Sequence, residues 1–379
     1  MKDKKVALVH DFLTGFGGAE RVLEALTEMF PDAPIYTLLY DKDKIRGKFK
    51  DKIIYTSFLQ KFPKFLRKRY KYLLPFLPVA PETFDLRDYD LVITSSGAWS
   101  KGIITRLNTV HIAYLHSPMR FVWDQNERYL KQQGRGRITG FFSRVFLSYI
   151  RLWDKSASDR PDYLISNSKY TQKRVKKYYG RESAVIYPPV DHETRNTKHE
   201  TKNPNYQLPF TDYFLVVSRL SPYKQIDKVV EAFNKLELPL VVIGEGSEKK
   251  YLENIAEKNV KILGWQSDEV INGYYANARA FLFAGVDDFG IASVEAMTRG
   301  VPVLSIRQGG IREIVEEGRT GEFFDAATPE VIADCVRRFM ENENNYDKEY
   351  IRKSVERFGE ERFKKEFINY IDNIKQLSS

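Results

Sequence analysis

The sequence predicts an α/β protein whose strands run parallel, divided into two domains. Three observations predict it. The stretch 280–312, AFLFAGVDDFGIASVEAMTRGVPVLSIRQGGIR, reads as strand, loop, helix, strand, which is the βαβ unit of a parallel sheet. Short apolar runs of the same kind recur at 6–12, 90–95, 109–115, 163–168, 213–217 and 240–243. A chain of 379 residues, 42% of them hydrophobic, is long for one core and comfortable for two. A polar, charged run at 192–207 then reads as the linker, giving domains at 1–191 and 208–354.

Taken in order, the run 6–12 suits a first buried strand. The loop 13–18 carries Gly15, Gly17 and Gly18, and Val22, Leu23, Leu26, Met29 and Phe30 keep helical spacing after it. A glycine turn between strand and helix lets backbone come close to a phosphate; it also serves a tight turn that needs positive φ. The dinucleotide fingerprint would need glycine or alanine where Glu20 stands, which argues against a dehydrogenase.

The segment 55–78, YTSFLQKFPKFLRKRYKYLLPFLP, holds six basic residues among aromatic ones and no acid. That composition suits an anionic membrane surface first. A basic helix packing its aromatics on the domain comes second, and nucleic acid a distant third, so no nucleic-acid partner is expected. The strand 90–95 ends at Ser96-Gly97-Ala98. The strand 109–115 ends at His116, with Arg120, Trp123 and Asp124 close behind. His116 thus stands at a strand's carboxyl end, where parallel sheets bind ligands, although a lone histidine is more often structural. Residues 126–152 and 170–179 read as basic helices, and Pro188-Pro189 stop regular structure.

The second domain opens with the strand 213–217 and the run Ser218-Arg219-Leu220-Ser221-Pro222-Tyr223-Lys224. Arg219 and Lys224, at a strand-to-helix junction, offer cations to a diphosphate; the alternative is a surface pair. Gly244 and Trp265 follow the next two strands. Asp287 and Gly290 then lie on a loop and Glu295 about two turns into a helix. Free amides at Gly290, Ile291 and Ala292 would favour phosphate, and the carboxylates would hold sugar hydroxyls. The combination suits a nucleotide sugar; singly, each residue reads as a helix cap or a solvated side chain. Residues 329–340 read as a helix and 350–374 as one long amphipathic helical stretch.

A net charge of +9 favours anionic partners. The single cysteine, Cys335, excludes an intramolecular disulfide and suits a reducing compartment. No run approaches the roughly 20 apolar residues of a membrane span. The expectation is a cytoplasmic protein, soluble or peripheral on the inner face of the cell membrane.

The run Asp287-Asp288-Phe289-Gly290-Ile291-Ala292-Ser293-Val294-Glu295 resembles the signature of the family-four, retaining glycosyltransferases of the GT-B fold, two carboxylates with seven residues between them, around Phe-Gly. It departs from that signature in having Asp287 where the family has Glu. The run Gly17-Gly18-Ala19-Glu20-Arg21 is similar to the family's acceptor-side glycine loop, and HSPMRFVWD, from His116, resembles a motif of bacterial mannosyltransferase-like members. The resemblance implies two Rossmann-like, doubly wound domains facing a central cleft, with the terminal helix, about 355–379, packing back on the first. It implies a retaining transfer of a hexose, mannose by the HSPMRFVWD likeness, from a nucleoside-diphosphate sugar to a glycan or polyprenyl-linked acceptor in surface polysaccharide synthesis. Arg219 and Lys224 would bind the diphosphate, Phe289 to Ala292 and Gly244 would line the donor site, and Trp265 would lie against the base. Glu295 would hold the ribose, Asp287 the sugar, and His116 and Arg120 would lie at the transferred sugar. No Asp-x-Asp follows any of the strands read above, so neither metal nor cofactor is expected. Alternatives are a non-catalytic nucleotide-sugar-binding scaffold and a transferase using a UDP-sugar.

Overall fold

The computed structural model describes residues 4–45, 47–124, 137–190 and 209–374, with backbone alone at 68, 70, 71 and 137–142. The expected linker 192–207 lies outside these residues, as does the start of the expected helix 126–152. The chain divides into two compact units, Met1–Pro189 with Glu361–Ser379, and Val190–Glu360.

Unit 1 is built on β1 (Val6–Leu13), β2 (Ile35–Tyr40), β3 (Ile54–Thr56), β4 (Leu91–Ser96), β5 (Val110–Leu115), β6 (Tyr163–Ser166) and β7 (Ala184–Val185). They form one sheet in the order β3-β2-β1-β4-β5-β6-β7, parallel throughout. Every residue of β4 and β5 is buried, because both faces of the sheet are covered; hence their mostly apolar runs, with no polar alternation. On one face Leu8, Ile93, Ile112 and Tyr114 share a core with Phe363, Phe367 and Ile371 of the terminal helix Glu360–Asp372. On the other, Leu38, Leu59, Trp99, Met119 and Ile150 pack together.

Two expected elements come out broken. The stretch 350–374 is not one helix: Lys348–Ser354, a 3-10 turn Glu356–Phe358 and Glu360–Asp372 follow one another. Phe358 packs on Phe289 of unit 2, whereas Phe363 enters the core of unit 1. Gly359 between them is extended, with φ −64° and ψ 157°, and no single helix could serve both cores. Likewise 55–78 forms β3, a 3-10 turn Phe58–Lys61, a short helix Lys64–Lys68 and a second 3-10 turn Tyr70–Phe76. Pro63 precedes the short helix and Pro75 lies in the second turn, and proline ends helical runs. The apolar residues divide: Leu59, Leu73 and Leu77 are buried, while Phe65, Tyr72 and Phe76 are exposed.

Unit 2 contains β8 (Tyr213–Val217), β9 (Leu240–Ile243), β10 (Val260–Gly264), β11 (Ala278–Phe283), β12 (Val303–Ile306) and β13 (Gly321–Phe324). Their order is β10-β9-β8-β11-β12-β13, again parallel. Phe214 on β8 meets Phe233 of the helix Ile226–Leu236 at 5.1 Å and Phe339 of the helix Pro329–Glu341 at 6.0 Å between ring centres. Both sheets have the doubly wound, Rossmann-like order. In each, the order reverses beside the first strand, between β1 and β4 and between β8 and β11, and such reversals open a crevice at the strands' carboxyl ends.

Candidate active site

At the β8/β11 reversal the expected residues converge. Beyond β8, a 3-10 turn Pro222–Lys224 passes through Gln225, which is left-handed at φ 55°, into the helix Ile226–Leu236. That turn aims Lys224 across the crevice, where its Nζ is ion-paired with Asp287 Oδ2 beyond β11. The ammonium also lies 5.4 Å from the ring centres of Tyr223 and Phe283. Gly285 makes room for it: a Cβ there would stand 3.0 Å from Lys224 Cδ and 3.1 Å from its Cα. Asp287 is clamped from the other side. Gly310 N donates to Asp287 O at 3.0 Å, and a Cβ on Gly309 or Gly310 would come within 2.4 Å of Asp287 O or 2.1 Å of Asp288 O. Substituting either glycine would therefore push the carboxylate loop away.

Gly290, at φ 109°, is the N-cap of the helix Ile291–Thr298 and has no side chain with which to cap its first turn. Asp287 and Asp288 lie before that cap residue, on the loop leading to the positive end of the helix dipole. Ser293 Oγ, in that turn, is buried and has no hydrogen-bond partner among the described residues. Glu295 lies just over one turn into the helix rather than two, because the helix starts at Ile291. Its carboxylate accepts a 3.2 Å hydrogen bond from the hydroxyl of Tyr275, which is buried. The Phe289 ring is buried against Phe358, so this residue can offer a ligand only its backbone. Arg219 is exposed, and its guanidinium makes no ion pair or hydrogen bond among the described residues.

Gly244 comes close to protein backbone. At φ 147°, a Cβ on it would lie 1.8 Å from Ser218 O, and one on Gly246 1.9 Å from Leu220 O. The two glycines hold the loop that carries Arg219, which Leu220 N and Glu245 O join at 2.9 Å. Trp265 is half exposed beyond β10, and its N donates to Glu245 Oε1 at 3.1 Å. Lys249 and that amide hold the Glu245 carboxyl below its usual range.

The β1/β4 reversal in unit 1 is filled by protein groups. Asp11, buried on β1, accepts four backbone amides: Gly97 and Ala98 on Oδ2 at 2.8 and 2.7 Å, Trp99 and Ser100 on Oδ1 at 2.9 and 2.6 Å. Beside it runs a chain of side chains. Glu20 Oε1 lies 3.5 Å from His10 Nε2, His10 Nδ1 3.1 Å from Ser95 Oγ, and Ser95 Oγ 2.8 Å from His116 Nε2. Burial raises the Glu20 carboxyl pKa, but the His10 hydrogen bond and the charges of His10 and His116 outweigh it, leaving a net depression. His116 is further fixed by Asn167 Nδ2 on its carbonyl at 3.0 Å. The segment behind it, with half-buried Arg120, is tied down by buried Arg174, which bonds Ser117 Oγ at 2.7 Å and Asp124 at 2.9 Å. Neither Gly15, Gly17 nor Gly18 has positive φ, and a Cβ on Gly15 would meet nothing within 4 Å. Gly15 thus leaves open space, whereas a Cβ on Gly17 would stand 3.3 Å from Glu20 Oε2; none of the three serves a positive-φ turn. Sequence reading missed Asp11, Glu20 and His10, although all three stand at a strand's carboxyl end or on the following helix.

Two family descriptions match the chain, "Glycosyltransferase Family 4" over residues 16–194 and "Glycosyl transferases group 1" over residues 200–360. This chain belongs to the family-four glycosyltransferases of the GT-B fold. An uncharacterized glycosyltransferase of Methanocaldococcus jannaschii is 25% identical over 96% of this chain and 94% of its own. The GDP-mannose-dependent alpha-(1-6)-phosphatidylinositol monomannoside mannosyltransferase of Mycobacterium tuberculosis is 25% identical over 48% of this chain and 53% of its own. The solved structure of Anabaena HepE in complex with UDP and glucose shares the fold, with a TM-score of 0.70 at 19% identity, over 98% of this chain and all of that one. As a glycosyltransferase the chain is an enzyme whose substrates are of the nucleotide-sugar and glycan classes. Among the described residues no helix is long and apolar enough to cross a membrane.

Proposed function

We propose that this glycosyltransferase moves mannose from GDP-mannose, with retention of anomeric configuration and without a metal, to a glycan or polyprenyl-linked acceptor in the synthesis of a surface polysaccharide. One observation carries the placement of the donor: Lys224 held on Asp287 at the β8/β11 reversal, where the loop of exposed Arg219 and the glycine-started helix at Gly290 also lie. Breaking the bond between the anomeric carbon and the phosphate oxygen leaves both electrons on the diphosphate. Charge therefore grows where these cations and amides stand, and fixed positive groups at that position are the main source of rate. Glu295 takes the ribose, Asp287 the sugar hydroxyls, Trp265 the base, and the backbone of Phe289, Gly290, Ile291 and Ala292 the phosphates, with Gly244 supporting Arg219. The family likeness assigns Gly17, Gly18 and Arg120 to donor binding and His116 to the transferred sugar. An acceptor hydroxyl then bonds the anomeric carbon and gives up its proton to an oxygen of the departing diphosphate.

Mannose rests on the HSPMRFVWD likeness and on the mycobacterial relative's printed donor. A UDP-sugar is the second reading, favoured by the UDP in the HepE structure. Thermal shift against GDP, UDP and ADP, followed by release of label from the matching nucleotide sugar, decides between them. Stabilisation by UDP alone would exclude GDP-mannose, and nucleotide binding without turnover would leave a scaffold. We place the enzyme in the cytoplasm, on the inner face of the membrane. The segment 55–78 supports docking there through exposed Phe65, Tyr72 and Phe76 beside exposed Lys61, Lys64 and Arg69. Equal co-sedimentation with anionic and neutral liposomes would defeat that docking.

A further inference from the structure

Unit 1 has a cavity of about 270 Å³ that the donor chemistry does not use. It opens where β1 and β2 end: Thr14 follows β1, and Asp41 N donates to Leu13 O at 2.8 Å. Four cations line it. Lys42 and Lys44 come from the short helix Lys42–Ile45, and Lys64 and Arg67, one turn apart, from the helix Lys64–Lys68. Asp41 is the only acid in the lining. The wall is fixed, since Gln60 pairs both ways with the main chain of Tyr40, accepting from its N at 3.1 Å and donating to its O at 2.9 Å.

None of the four cationic side chains has an ion pair or hydrogen-bond partner among the described residues, and Arg67 Nε is buried without one. This contrasts with the salt bridges that engage many lysines and arginines elsewhere, such as Lys48 with Glu24 and Arg160 with Glu82. Like charges gathered around a fixed hollow repel one another, and a desolvated donor with no acceptor costs free energy. Both costs vanish when an anion enters. Lysine ammoniums and an arginine fork together match a phosphate's oxygens. The volume is near the lower end of ligand pockets, roughly 300–1,000 Å³. It suits one sugar phosphate or a diphosphate link, not a whole nucleotide sugar. Asp41 would accept from a sugar hydroxyl.

We propose that this cavity seats a phosphate ester of the acceptor, either the phosphate linking the acceptor sugar to a lipid carrier or a phosphate on a free sugar. The assignment deepens the transferase reading and rests on it. The cations of 64–67 then act in a pocket as well as at a surface. The experiment is calorimetry on the full chain with a hexose 1-phosphate and, separately, with the nucleoside diphosphate that binds. The Lys64→Ala/Arg67→Ala double variant should lose on the order of 100-fold in hexose phosphate affinity, two charge-assisted contacts at about tenfold each. Its nucleoside diphosphate affinity and its thermal midpoint should not change. Lys224→Ala should retain the hexose phosphate. Unchanged hexose phosphate binding in the double variant overturns the proposal. So does its loss in Lys224→Ala, or equal binding of glucuronate. If no nucleoside diphosphate binds the unmodified chain, the donor reading fails while the cavity result stands separately. A second arm uses phosphatidylcholine vesicles carrying polyprenyl diphosphate. Co-sedimentation lost in the double variant identifies a lipid-borne phosphate; binding of the soluble ester alone identifies a sugar phosphate. Charge reversal by Lys42→Glu should weaken whichever ligand binds, and no effect there counts against the proposal.

Discussion

The two sheets share one topology yet use their reversal points in opposite ways. Between β1 and β4 the carboxylate of Asp11 is consumed by four backbone amides, and the neighbouring polar side chains bond one another from Glu20 to His116. Between β8 and β11 the carboxylate of Asp287 meets a single lysine, partly open to solvent, beside a guanidinium with no partner among the described residues. The first arrangement holds a loop in place. The second keeps charge in reserve for something that arrives. A shared fold therefore does not imply a shared site; what stands at the ends of the strands decides.

Breaking the first arrangement should have the largest effect. Asp11→Ala strands four amides, and at about 1 kcal/mol or more for each, stability should fall by roughly 4 kcal/mol, measured by urea unfolding. A loss no larger than that of a surface substitution would remove Asp11 from the account. Breaking the second should reverse the pattern. Lys224→Ala should leave the thermal midpoint nearly unchanged, since a partly exposed pair contributes little, while turnover falls about 100-fold or more. Equal losses of stability and activity would erase the contrast between the two points.

Acid unfolding sharpens it further, because one group reports on unit 1 alone. Burial, with the charges of Arg181 and Arg160, pushes the His111 imidazole down to about 3 from 6.5. The unfolded chain takes up that proton first, so stability declines as pH falls from 6.5 toward 3, by about 1.4 kcal/mol per unit within the window. His111→Asn should flatten this slope, removing about 2 kcal/mol of the difference between stabilities at neutral and mildly acid pH. An unchanged slope would assign the acid limb to other groups. The smallest effect is expected from Asp287→Glu, which restores the family's residue and should change turnover by less than about tenfold. A larger drop would mean that the shorter carboxylate is matched to Lys224.

Much of this was legible in the sequence. Apolar runs with small-residue ends located the strands, because strands covered on both faces need no polar alternation. The Asp287–Glu295 spacing picked out the loop on which Asp287 meets Lys224. The Asp11 interaction left no such trace: its partners are backbone amides more than eighty residues away, and an amide carries no residue identity. The break at Gly359 was hidden for a related reason. Helical periodicity continues through it, and only the two different cores that receive Phe358 and Phe363 show why the helix must stop. The cavity at 40–67 was half visible, as a basic stretch whose enclosure depends on Lys42 and Lys44 from an earlier loop.

The terminal helix has a consequence for how the molecule is made. Unit 2 is one uninterrupted length of chain, whereas the core of unit 1 needs Phe363, Phe367 and Ile371, which follow unit 2 in the chain. During translation the second half can finish folding while the first, though made earlier, still waits with an apolar sheet face uncovered. A chain cut near residue 360 would thus hold a complete unit 2 and an unfinished unit 1, and a chaperone would be expected to bind the latter.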